Sequence, residues 1–100
     1  QKLIEKYNSV AIICKDDHQL ALAEQALSNL NMMVVHENNS SYNFNEIILL
    51  TVQTAKGLEF DAVIIYDHSS FAQNAVDQKL LYVAKTRALH SLILNNHKSE

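Results

Sequence analysis

The sequence contains one glycine, no proline, no tryptophan and one cysteine among 100 residues. A single cysteine excludes an internal disulfide and is typical of a reducing compartment, so we expect a cytoplasmic protein. Cys14 lies within the apolar run VAIIC, which predicts a buried thiol. Because the chain begins at Gln1, we expect it to be a piece of a longer protein.

Positive charge is also scarce, with 8 Lys and Arg against 11 Asp and Glu and a formal net charge of −3. This balance gives no general attraction to nucleic acid, so any affinity for it must come largely from elsewhere. No apolar run approaches the roughly 18 residues of a membrane helix, so we expect no membrane partner. The hydrophobic content of 48% predicts one packed domain over residues 1–100.

Short apolar runs rich in Val and Ile recur along the chain and are continuous rather than alternating. This pattern is typical of strands buried on both faces of a parallel sheet. The runs are Val10–Cys14, Met32–Val35, Ile47–Val52, Ala62–Tyr66 and Leu89–Leu94.

Two intervals have helical spacing of their apolar residues. The first helix is predicted to begin at an Asp16 cap with Gln19 as its capping-box partner, and to end near Asn31. The second is predicted over residues 75–85, with Asp77 favourable near its start. The expected buried faces are Leu20, Ala23, Ala26, Leu27 and Leu30 in the first helix, and Val76, Leu80, Val83 and Ala84 in the second.

The polar segment His36–Glu46 reads as a surface loop rich in Asn and Ser. Together the elements predict an α/β fold, with a mostly parallel sheet flanked by helices. Such a fold is compatible with nucleotide binding but does not establish it.

The only glycine, Gly57, follows a predicted strand within the segment TVQTAKGLEF. Ligands collect at the carboxyl ends of parallel strands, where Thr51, Gln53 and Thr54 offer polar groups. Lys56 adds a charge, and Gly57 lets the backbone approach a phosphate. The alternative is a plain connecting loop with one glycine for its turn.

Arg87 is predicted at the corner between the second helix and the last strand. An arginine there either pairs with a local acid or donates two hydrogen bonds to a ligand's phosphate. The sequence leaves both open. The five histidines show no metal-ligand spacing, so we predict no metal site.

The segments TVQTAKGLEFDAVII and LLYVAKTRAL resemble motifs V and VI of superfamily 1 helicases of the UvrD/Rep/PcrA type. The family patterns are roughly T-x-H-x-A-K-G-L-E-F and Y-V-A/G-x-T-R-A. The matching residues are Thr51, Ala55, Lys56, Gly57, Leu58, Glu59 and Phe60, then Tyr82, Val83, Ala84, Thr86, Arg87 and Ala88.

The resemblance implies a RecA-like (P-loop NTPase-type) second motor domain, usually called 2A, that lacks the phosphate-loop half. It implies a 3′→5′ DNA helicase or translocase in which Arg87 reaches the γ-phosphate of ATP as an arginine finger. Gly57 would present its backbone to the phosphates, and Glu59 would bind the ribose. Thr51, Gln53 and Lys56 would contact single-stranded DNA.

The chain departs from the family pattern at two positions. Gln53 replaces the usual His, and Lys85 occupies a usually uncharged position. No large 2B insertion separates the motifs, and this compact form resembles the HelD group, some of whose members act on RNA polymerase. An ATP-driven factor that remodels RNA polymerase is therefore one alternative, and a nucleotide-binding or interaction module without motor activity is another.

One glycine cannot form the G-x-x-x-x-G-K-[ST] phosphate loop, and the acidic motif that holds Mg²⁺ is also absent from the sequence. The family relationship implies that ATP and Mg²⁺ are bound mostly by the first motor domain of the same protein. We therefore expect the full-length protein to be an ATP hydrolase, and this chain alone to bind neither cofactor and to hydrolyse no ATP.

Overall fold

The structure is a computed structural model that describes residues 9–29, 32–35, 47–67, 69 and 71–94. Within these residues, strands and helices alternate for most of the chain. The elements are β1 (Val10–Cys14), α1 (Asp17–Ala26), β2 (Met32–Val34), β3 (Ile47–Thr51), α2 (Val52–Ala55), β4 (Phe60–Ile65), α3 (Ala75–Lys85) and β5 (Ala88–Leu94).

The strands form one parallel sheet in the order β2-β3-β1-β4-β5. β1 lies at its centre and is buried along its whole length, as is β3 beside it. Strands covered on both faces need apolar side chains at every position, which explains the continuous apolar runs. The predicted α/β parallel sheet is confirmed.

The ends of several strands differ from the prediction. β3 stops at Thr51 because Val52 begins a short helix, and β4 begins at Phe60 rather than Ala62. β5 was predicted to be buried but lies at the sheet edge. Its large apolar side chains are therefore partly exposed: Leu89, Leu92, Ile93 and Leu94.

Each face of the sheet has its own apolar core. On one face α1 contributes Leu20 and Ala23, which pack with Ile12 and Leu49. On the other face α2 and α3 cover a cluster that includes Phe60. Helices on both faces place α1 and α3 on opposite sides of the sheet.

The cap of α1 has the predicted residues in a slightly different arrangement. The Asp16 side chain accepts a hydrogen bond from the Gln19 backbone N–H at 2.9 Å. The Gln19 side chain accepts from the N–H of Lys15 at 2.8 Å, one residue before the cap itself. Ala26 is exposed, contrary to prediction, because six residues at 3.6 per turn carry it away from the face of Leu20. The helix ends at Ala26, with Leu27 as its cap, rather than near Asn31 as predicted. Leu30, Asn31 and His36–Glu46 lie outside the described residues.

The second helix has its predicted bounds, Ala75–Lys85, and begins at an Asn74 cap that accepts from the N–H of Asp77 at 2.8 Å. Its buried residues are Leu81 and Ala84, while Leu80 and Val83 are half-buried. Burial of Val76 was wrongly predicted, since this side chain is 70% exposed. Val76 precedes Leu81 by five residues, which places it on a different side of the helix.

Lys15, just after β1, forms a salt bridge with Asp77 near the start of α3 and so links the sheet to this helix. The Lys15 Nζ lies 2.9 Å from Oδ2 of Asp77, which also accepts the N–H of Ala72 at 2.8 Å. The hydrogen bond from Lys15, and then that from Ala72, hold the pKa of Asp77 below its ordinary value of 3.8.

We predict that Asp77→Asn makes the stability of the protein less sensitive to acid. Because the folded-state pKa is lowered, the carboxylate stabilises the fold above pH 3.8, and this contribution is lost as pH falls through the folded-state value. Unfolding midpoints in a denaturant, measured from pH 7 to pH 2, should therefore converge for variant and wild type at low pH. A constant difference across the series would contradict the prediction. Asp17→Asn, on an exposed carboxylate, is the control.

Cys14 is fully buried, as predicted. Burial, followed by the charge of Asp16, raises the pKa of its thiol to about 12. The thiol therefore stays protonated at neutral pH and is a poor nucleophile. Among the described residues, no helix is both long and apolar enough to span a membrane.

Candidate functional site

The segment after β3 forms a short helix, α2, which the sequence did not predict. Thr51 is its cap: the hydroxyl accepts from the Thr54 backbone N–H at 3.3 Å and donates to Oγ1 of Thr54 at 3.2 Å. Both threonines are buried, so their hydroxyls are directed to each other. Gln53 and Lys56 are exposed and face solvent.

The segment from Thr51 to Phe60 runs from the carboxyl ends of the parallel strands, which we call the carboxyl edge of the sheet, back to their amino ends, the amino edge. Thr51 ends β3 and Phe60 begins β4, and both strands are parallel to β1 between them. Thr51 therefore lies at the carboxyl edge of the sheet, whereas Gly57 and Glu59 approach the amino edge. The segment begins at the carboxyl ends of the strands, as predicted, and its later residues lie toward the amino ends.

Gly57 has a backbone conformation that favours glycine, with φ of +83°. A Cβ added there would meet no atom within 4 Å, so the space above the backbone is open. The glycine is thus required by the turn between α2 and β4 and leaves the backbone accessible from solvent.

We predict that Gly57→Ala destabilises the protein by about 1 kcal/mol, since an L side chain at positive φ is strained even where space is free. Unfolding in a denaturant measures the change. Gly57→Asn should cost less, because asparagine tolerates the left-handed region better. Equal stability of Gly57→Ala and wild type would mean that the turn adopts another conformation.

Arg87 lies between the cap of α3 and the first residue of β5, as predicted. Its backbone carbonyl accepts the N–H of Phe60 at 2.8 Å. This bond joins the amino ends of β4 and β5, where Phe60 pairs with Ala88. The two motif segments therefore meet at the amino edge of the sheet.

The guanidinium of Arg87 is held by three groups. Nε donates to the carbonyl of Val83 at 3.2 Å, and Nη1 donates to the carbonyl of Leu58 at 3.3 Å. Nη2 donates to the Thr86 hydroxyl at 3.1 Å, which itself donates to the Val83 carbonyl at 2.8 Å. We call Val83, Leu58 and Thr86 the arginine clamp.

Of the two alternatives for Arg87, pairing with a local acid is not seen among the described residues. Among the described residues, the close contacts between basic and acidic side chains are Lys15 with Asp77 and His90 with Asp61, so no described carboxylate pairs with this arginine. Its guanidinium has five N–H donors, of which three are used in these bonds, leaving one on each Nη. A half-buried cation with a fixed orientation and two remaining donors suits an anionic ligand.

The sequence analysis did not predict a role for the three residues of the arginine clamp. Leu58, Val83 and Thr86 all match the two motifs, which was the available signal. Two of them act through backbone carbonyls, which residue identity does not reveal.

Glu59 is exposed next to Gly57, at the same edge as Arg87. Thr51 and Gln53 lie at the beginning of the crossing segment, on the opposite edge. Among the described residues, no group of three potential metal ligands comes together. The three residues predicted to bind the nucleotide thus lie together at the amino edge of the sheet, whereas Thr51 and Gln53 lie at the carboxyl edge. The three are Gly57, Glu59 and Arg87.

The five-stranded parallel sheet with helices on both faces is a RecA-like fold, and the segments of Gly57 and Arg87 are joined at the amino ends of β4 and β5. The chain belongs to the UvrD-like helicase C-terminal domain family. The sequence model of this family matches residues 46–95, which is half of the chain. A comparison with curated proteins gives no significant match.

One solved structure agrees with this assignment, and a second shares only the fold. The C-terminal domain of a possible DNA helicase from Lactobacillus plantarum WCFS1 superposes with a TM-score of 0.77 at 30% identity and covers 90% of this chain. This chain spans 56% of that structure. The C-terminal part of the Fun30 ATPase domain shares the fold, with a TM-score of 0.54 at 17% identity over 92% of this chain and 36% of its own length.

Proposed function

We propose that this chain is part of the C-terminal motor domain of an ATP-dependent, UvrD-like helicase or translocase with 3′→5′ polarity. In this role it supplies one side of a nucleotide site that it shares with the first RecA-like motor domain of the same protein. The observation that carries the proposal is the orientation of Arg87, which is fixed by the arginine clamp and neutralised by no described carboxylate.

Arg87 is the proposed arginine finger. Phosphoryl transfer spreads negative charge over the equatorial oxygens, and a cation already in position stabilises that charge without reorganising. The clamp provides such positioning through Leu58 and Thr86. Because the bond to Leu58 joins the segments of Gly57 and Arg87, a shift in one segment moves the other.

Gly57 and Glu59 would bind the rest of the nucleotide. The open space at Gly57 allows a phosphate to approach its backbone, and the exposed Glu59 carboxylate can accept a hydrogen bond from a ribose hydroxyl. These residues fit a nucleotide, whereas Mg²⁺ would take its ligands from the first motor domain.

Gln53 and Lys56 are the proposed direct contacts to single-stranded nucleic acid, since both are exposed on one short segment. Thr51 would support them by capping α2, because its hydroxyl is buried and bonded to Thr54. An amide and an ammonium group can both donate to phosphate oxygens.

Strand displacement by the full-length protein tests this function. We expect ATP-dependent unwinding of a duplex with a 3′ single-stranded tail and little unwinding of the same duplex with a 5′ tail. Hydrolysis of ATP that is stimulated by RNA polymerase, with no displacement of either duplex, would instead support the alternative of a polymerase-remodelling factor. Absence of ATP hydrolysis by the full-length protein would overturn both motor functions.

A further inference from the structure

A shallow groove of about 240 Å³ lies between α3 and the turn after α2. Its lining side chains are Lys56, Val76, Lys79, Leu80 and Val83. Enclosed sites for small molecules have volumes of roughly 300–1,000 Å³, so this groove is smaller and also open to solvent. Its shape suits one stretch of an extended polymer better than an enclosed small ligand.

The charges of the groove have one sign. Lys56 and Lys79 come from different elements and lie on its lining, which contains no carboxylate. The nearest acidic residue along α3, Asp77, is paired with Lys15 instead. The lining of the groove thus contains two lysines and no carboxylate, on a chain whose formal net charge is −3.

The floor of the groove is aliphatic. Leu80 and Val83 are half-buried against the core, whereas Val76 is 70% exposed and contributes little to the fold. Val76 and Val83 are seven residues apart, or about 10 Å along a helix. The groove thus extends along α3, from its start at the carboxyl edge of the sheet to its end near Arg87 at the amino edge.

We propose that this groove is a subsite for single-stranded nucleic acid, in which Lys56 and Lys79 contact phosphates and the aliphatic floor packs against sugars and bases. This inference rests on the proposed function, because Lys56 and the neighbouring Gln53 are its proposed nucleic-acid contacts. Continuity with those residues favours a nucleic acid over an acidic protein segment. Lys79 and Val76 are the new members of the site.

The test uses the full-length protein and a fluorescent oligo-dT strand, with affinity measured by anisotropy over a series of salt concentrations. Each lost phosphate contact on a single strand lowers the slope of log K against log salt by about 0.7, which corresponds to roughly fivefold weaker binding at about 0.1 M salt. We expect this change for Lys79→Gln. Lys85→Gln removes the same charge from the same helix outside the groove and should keep the wild-type slope.

A second pair of variants tests the floor. Val76→Glu places a carboxylate in the groove at an exposed position and should weaken binding at least as strongly as Lys79→Gln. Leu22→Glu is its control, because Leu22 is 51% exposed on α1, at the opposite face of the sheet. Unchanged melting temperatures would exclude misfolding as the cause.

The outcomes separate this inference from the proposed function. A wild-type protein that binds no single strand overturns both. Wild-type binding with an unchanged slope for Lys79→Gln overturns the subsite alone.

Discussion

Replacing Arg87 with alanine in the full-length protein is expected to lower kcat for ATP hydrolysis by about 10³–10⁵-fold, the range found for supplied arginine fingers. The affinity for ATP should change little, because the proposed contact strengthens as charge develops in the transition state. Steady-state hydrolysis gives kcat, and equilibrium binding of a non-hydrolysable analogue gives the affinity. Arg87→Lys should also be impaired, since an ammonium group cannot reproduce the planar donors that the clamp orients.

Two results would contradict this prediction. Unchanged turnover in Arg87→Ala would show that Arg87 is not the finger. A parallel loss of ATP affinity and thermal stability would show that the arginine mainly joins Leu58 to the end of α3. Lys85→Ala, two residues earlier and outside the clamp, should leave the stability unaffected and so controls for damage to the helix end.

Replacing Phe60 with alanine is expected to destabilise the domain by about 3–5 kcal/mol, a large part of the 5–15 kcal/mol available to a typical domain. Phe60 belongs to the segment that resembles motif V, yet only 1% of its surface is exposed and it packs in the core beneath α3. Hydrogen exchange in the full-length protein should therefore show faster exchange of the amides of β4 and β1.

The control for Phe60→Ala is Tyr82→Ala. Tyr82 is also an aromatic motif residue but is 68% exposed, so its removal leaves no cavity. We expect a change within about 0.5 kcal/mol for this surface substitution. Equal exchange rates in both variants would mean that Phe60 is not a core residue.

The strands and helices of this domain could be predicted well where the local pattern was strong. The run Val10–Cys14 gave the bounds of β1, and the spacing over residues 75–85 gave those of α3. The prediction failed for Val76 because apolar character alone does not identify which side of a helix meets the sheet. It failed for the burial of β5 because nothing local distinguishes an edge strand from a central one.

The candidate site was predicted in part. Gly57, Glu59 and Arg87 were selected through resemblance to two motifs, and the fold gathers them at one edge of the sheet. The helix α2 was missed, since four residues are too few for helical periodicity to be visible. With it, the capping role of Thr51 was also missed.

The sequence by itself determined the α/β class, the order of the elements other than α2 and the family of the chain, because apolar runs, helix caps and motifs are all local signals. Only the tertiary structure decided that the segment of Gly57 crosses from one edge of the sheet to the other. It also decided how Arg87 is held, through a carbonyl 29 residues away in the chain. Every residue has a backbone carbonyl, so the local sequence does not show which carbonyl will accept a hydrogen bond from a guanidinium. The packing of β4 against β5 determines it.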